Sequence, residues 1–61
     1  MKPSNKEKLL DYLDERGKIT VAQAMKILDV EENVAREVLD ELAKGAYVSV
    51  SGEYYYYHPP A

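Results

Sequence analysis

Apolar residues follow two periods along this chain. From Ser4 to Lys44 they recur every third or fourth residue, and from Ala46 to Tyr57 they crowd around a Ser-Gly pair. In "PSNKEKLLDYLDERGK" the stripe Leu9, Leu10, Leu13 predicts a first helix, with Tyr12 at its boundary. Ser4 and Glu7 stand at capping-box spacing ahead of it, and Gly17 suits the left-handed residue that stops it. Ile19 in "KIT" is a lone apolar residue, enough for a third strand beside a hairpin. Thr20 and Gln23 repeat the capping-box spacing before "VAQAMKIL", a short second helix whose inward residues are Ala24, Ile27 and Leu28. A third helix runs through "ENVAREVLDELAK" and stops at Gly45. At about 100° per residue, Val34, Val38 and Leu42 fall together with Ala35 and Leu39 beside them. Asn33, Arg36, Glu37, Asp40 and Lys44 take the opposite face.

The remaining stretch, "AYVSVSGEYYYYH", is rich in β-branched and aromatic residues and reads as a hairpin. A two-residue Ser51-Gly52 turn is disfavoured, because type II′ asks for glycine first and type I′ asks Ser51 for a positive φ. A three-residue loop, Val50-Ser51-Gly52, puts glycine at the left-handed bulge position, so that Val48 faces Tyr54, Tyr47 faces Tyr55 and Ala46 faces Tyr56. In that register Val48, Tyr54 and Tyr56 point to the helices, while Tyr47, Ser49, Glu53, Tyr55 and Tyr57 point away. The expected fold is α+β, with three helices, a short strand and a C-terminal β-hairpin in one domain over residues 1–58. Residues 59–61 form an extended tail.

Composition narrows the function. With 61 residues the core is small, burying roughly 60% of the surface of the unfolded chain. The absence of cysteine removes disulfides and thiolate metal sites. No apolar run approaches the ~20 residues of a membrane span, and the polar start "MKPSNKEK" lacks a signal-peptide core, so a cytoplasmic chain without a membrane partner is expected. Eleven acidic against eight basic residues give a net charge of −3, the wrong sign for a surface that seeks phosphate.

The stretch "KITVAQAMKILDVEENVAREVLDELAKGAYVSV" resembles the winged helix-turn-helix domains of bacterial and archaeal transcription regulators, over about residues 4–57. The resemblance implies a DNA-binding domain whose third helix enters the major groove, with the wing on the backbone or minor groove, often in a dimer. It places Asn33, Arg36, Glu37 and Asp40 toward duplex DNA, and Ser49, Ser51 and Gly52 on or near the wing tip. The chain departs from the family in two respects. Where the turn often has Gly and then Ser or Thr, it has Asp29 and Glu31, so that either Glu31 caps the third helix poorly or Asp29 caps it with Glu32. From Glu31 to Lys44 there are two bases against five acids, a balance of −3 where a phosphate backbone would approach.

Individual residues keep two readings. Arg36 can fork onto guanine O6 and N7, or can be occupied by Glu32 and Asp40, four residues away on either side. The outward tyrosines in this register, Tyr47, Tyr55 and Tyr57, are a candidate interface for a homodimer or a protein partner, or a cross-strand pair that steadies the hairpin. Base stacking ranks below both, because no Lys or Arg is interleaved with those rings in sequence. No catalytic residue, metal site or cofactor is expected: His58 is the lone histidine, and there is no phosphate-cradling glycine pattern. The alternative to DNA binding is a protein-interaction or dimerisation module that binds no nucleic acid. An engineered or idealised fold is a further version of it, suggested by three capping-box spacings and the lack of Cys, Phe and Trp.

Overall fold

A computed structural model describes residues 4–59. The elements are α1 (Asn5–Arg16), β1 (Lys18–Thr20), α2 (Val21–Leu28), α3 (Glu32–Lys44), β2 (Val48–Ser51) and β3 (Tyr54–Tyr57). They form an α+β fold of three helices and a three-stranded antiparallel sheet in the order β1-β3-β2, compatible with a winged helix layout. The last part of the tail, Pro60 and Ala61, lies outside the described residues.

The helix ends follow local chemistry. Ser4 accepts the Glu7 amide at 3.2 Å, and Gly17 closes α1 in the left-handed region at φ 87°. Thr20 and Gln23 make a complete capping box at α2, with both bonds near 3 Å, at 3.0 and 3.1 Å. Asp29 does not cap α3. It sits at φ 56° as the left-handed stop of α2, and the Val30 amide reaches back to the Met25 carbonyl. Glu31 is therefore the N-cap of α3, in extended backbone and without a side-chain bond.

Helix α3 stops at Gly45 as expected, but the left-handed residue is the one after it. Gly45 keeps an ordinary φ of −82°, and Ala46 takes the left-handed position instead, at φ 63°. The Ala46 amide donates to the Ala43 carbonyl and the Tyr47 amide to the Leu42 carbonyl, the paired bonds of a Schellman stop. What Gly45 supplies is space: a Cβ there would lie 2.8 Å from the Tyr47 ring.

The core is the expected set on the helices, with Leu9, Leu13, Ala24, Leu28, Ala35, Val38, Leu39 and Leu42 all buried. Leu10 and Ile27, also expected inward, are only half-buried against this core, as is Val34, so the inward stripe of α3 centres on Ala35, Leu39 and Leu42. Among the described residues no polar or charged residue is buried.

The hairpin register corrects the sequence reading. Val48 pairs with Tyr57, Ser49 with Tyr56, Val50 with Tyr55 and Ser51 with Tyr54. The loop is thus the two residues Gly52-Glu53, with Gly52 at φ 62° in the first central position and Glu53 outside the positive-φ region. That is the glycine-first pattern of a type II′ turn. A loop shorter by one residue flips every tyrosine. Tyr55 is 7% exposed and Tyr57 packs against the core, whereas Tyr56 is 39% exposed. Tyr55 and Tyr57 are therefore not outward residues, and Tyr54 and Tyr56 are not core residues. β1 fixes the choice from the other side, because its pairing sets Ile19 opposite Tyr55 on the buried face.

Candidate nucleic-acid interface

The exposed side of α3 follows from its buried side. With Ala35, Val38, Leu39 and Leu42 turned inward, Asn33, Arg36, Glu37 and Asp40 are all in solvent, with Glu32, Glu41 and Lys44 around them. Arg36 Nε donates to Glu32 Oε2 at 3.0 Å, and both side chains are more than half exposed. Glu32 therefore holds this arginine, and Asp40, its other candidate partner, does not. Glu41 approaches Lys6 of α1 at 3.9 Å, also in solvent.

An open cleft of about 470 Å³ separates α3 from the hairpin, lined by Thr20, Val21, Arg36, Val50, Gly52 and Tyr55 among others. Val50 belongs to the helix-facing side of β2 by alternation, yet it is 58% exposed and lines this cleft. Gly52 is at the tip and Ser51 beside it. Ser49 is not at the tip: it pairs with Tyr56 on the side away from the helices, and its hydroxyl meets His58 Nε2 at 2.6 Å. His58 also donates its amide to the Tyr47 carbonyl, extending the ladder by one pair.

The opposite side of the sheet carries a second group that the sequence reading missed. Lys18 Nζ lies 4.6 Å from the centroid of the Tyr54 ring, and the Tyr54 and Tyr56 rings are 5.9 Å apart at 45°. Arg16, one helical turn after Tyr12, lies 6.0 Å over that ring. A smaller cleft of about 270 Å³ joins the two pairs and is lined by Tyr12, Arg16, Lys18, Gln23 and Tyr54. Nothing in the linear order signals this grouping, because β1 and β3 are separated by two helices and meet only as neighbouring strands.

The predicted residues therefore divide into three places. Asn33, Arg36, Glu37 and Asp40 share the exposed side of α3, and Arg36 shares the larger cleft with Gly52. Ser49 and the 39% exposed Tyr47 are turned outward near the base of the hairpin. Tyr55 and Tyr57 belong to the packed side. No group of three or more metal-ligating side chains occurs among the described residues, and no helix among them is long and apolar enough to cross a membrane. Comparison of the chain with protein-family models, with curated proteins and with solved structures found no match.

Proposed function

We propose that the chain is a duplex DNA-binding domain of winged helix type that reads the major groove with α3 and touches the backbone with the tip at Gly52. The observation that carries the reading is the position of Arg36, exposed on α3 and lining the cleft beneath the hairpin. Its bond to Glu32 does not preclude this role. An exposed pair four residues apart on a helix contributes about 0.3–0.5 kcal/mol, whereas a bidentate guanine contact contributes about 1–3 kcal/mol of discrimination. Arginine exchanged from Glu32 to guanine gains more than it loses.

The acids set the expected strength. Glu32, Glu37, Asp40 and Glu41 surround Arg36 on the same exposed surface, so few phosphates are neutralised. Titration with duplex DNA across a salt series should give weak binding, with log K falling against log salt at about −0.9 per phosphate and therefore shallowly. Arg36→Ala should abolish preference among sequences while reducing affinity only modestly; equal loss on every duplex would assign Arg36 to phosphate alone.

The same acids favour a second reading, a protein-interaction module that presents α3 to a basic partner, with the exposed Tyr47 at its margin. Absence of duplex binding at low salt by the folded protein leaves that reading in place of the first.

A further inference from the structure

The outer side of the sheet differs in charge from the rest of the molecule. Alternation along the strands places Lys18 and Thr20 of β1, Tyr54 and Tyr56 of β3 and Ser49 and Ser51 of β2 on it, with Tyr47 and His58 continuing the last pair. None of these is a carboxylate, in a chain with eleven acids and a net charge of −3. The nearest acid in sequence on this hairpin, Glu53, lies in the turn. The adjoining cleft adds Arg16 and the Tyr12 ring. The two ion pairs among the described residues, Lys6 with Glu41 and Arg36 with Glu32, involve neither Arg16 nor Lys18.

We infer that this face is a stacking platform for single-stranded nucleic acid: Tyr56, and Tyr54 once Lys18 swings from over its ring to a phosphate, lie under successive bases, with Arg16 also toward the phosphates. Three considerations select that occupant. Cations beside aromatic rings complement a polyanion that also presents flat π-faces, and aromatic stacking is the sequence-tolerant part of single-strand binding. Two rings 5.9 Å apart and tilted 45° to each other take only bases whose faces are open, which a paired and stacked duplex does not offer. The area is wrong for a second copy of the chain. Three strands about 4.8 Å apart and about four residues long cover only about 200 Å², whereas a stable dimer buries about 800 Å² on each partner. This site does not depend on α3, and it stands or falls separately from duplex binding.

The test uses the full chain and a fluorescein-labelled oligodeoxythymidylate of about eight nucleotides, within the roughly 4–16 nucleotides that a single-strand-binding OB fold covers, read by anisotropy at low salt. Saturable binding is expected, with the ring protons of Tyr54 and Tyr56 shifted upfield in the complex. Tyr56→Thr should weaken binding about 5-fold or more, the lower end of what loss of one stacking ring costs, and Tyr54→Thr should act alike. Lys18→Gln should weaken it too, and make the slope of log K against log salt shallower by about 0.7. Arg36→Ala should leave it unchanged. Circular dichroism establishes that each variant is folded; should Tyr54→Thr not fold, Tyr56→Thr and Lys18→Gln, both at exposed positions, carry the test. The assignment is overturned by a folded wild type that does not bind the oligonucleotide, or by binding that survives Tyr56→Thr and Lys18→Gln together. An oligouridylate of equal length should bind comparably, because stacking uses base faces that DNA and RNA share. A wild-type dimer in sedimentation that Tyr56→Thr dissociates assigns the face to a second copy instead.

Discussion

Ala46 is the residue at which the backbone is least suited to its side chain. At φ 63° an L-residue brings its Cβ too close to the following carbonyl, which costs roughly 1–2 kcal/mol, and glycine escapes that cost. Glycine gives back about 0.5–1 kcal/mol through the greater freedom of its unfolded chain. Ala46→Gly should therefore stabilise the protein by about 0.5–1 kcal/mol in urea denaturation. The preceding glycine behaves oppositely. Gly45 has a φ that alanine accepts, but a methyl group would lie 2.8 and 2.9 Å from two atoms of the Tyr47 ring. Exchanging the two residues in one variant, Gly45→Ala with Ala46→Gly, should thus lose the gain of the single change, because the Tyr47 ring must leave its place against the helix end.

Helix α3 is the element with an incomplete start. Its N-cap, Glu31, has the extended φ and ψ of −73° and 164° that a capping residue needs, but its side chain makes no bond to the first turn. Glu31→Asp keeps the charge that favours a helix N-terminus and shortens the side chain to one that reaches the N2 or N3 amide. The expected result is a gain of about 1 kcal/mol in thermal or urea unfolding, with unchanged net charge. Because the change is neutral in charge, duplex binding should be unaffected, which separates capping of α3 from its electrostatics. In the sheet, β3 is the element on which the rest depends: it is the central strand and meets β1 on one side and β2 on the other.

At the scale of the whole molecule, the cost of losing a core side chain is set by how little core there is. Tyr55 is the one tyrosine in the buried core, opposite Ile19 across β1 and Val50 across β2. Tyr55→Ala should cost about 3–5 kcal/mol, the range for large aromatic truncations, and unfold much of a domain of this size. Tyr56→Thr, one residue on and 39% exposed, keeps strand propensity and should change stability by no more than about 0.5 kcal/mol. Melting curves of the two variants side by side give the check. A larger loss for Tyr56→Thr than for Tyr55→Ala is incompatible with the register described here.

The sequence by itself determined the elements and the helical core, because the signals there are local and redundant. The stripe of Leu9 and Leu13, the box of Thr20 with Gln23 and the inward set Ala35, Val38, Leu39 and Leu42 each involve residues within about one or two turns of one another. Three things were decided by tertiary structure. Four identical residues carry no alternation, so "YYYY" gives each register two tyrosines inward and two outward, and hydrophobic patterning cannot choose between them. Glycine-first turn chemistry applied to Gly52-Glu53 instead of Ser51-Gly52 was the available local clue; the pairing of Ile19 with Tyr55 across a long loop closure makes the choice. The left-handed residue after α3 is Ala46, while Gly45 at the C-cap leaves room for the Tyr47 ring. Lastly, Lys18 reached Tyr54 only through the β1–β3 pairing, so a basic and aromatic surface arose from residues 36 positions apart in the chain. Local spacing encodes what a helix or turn does with its own residues; the side a strand presents, and the company its side chains keep, depends on partners that spacing does not name.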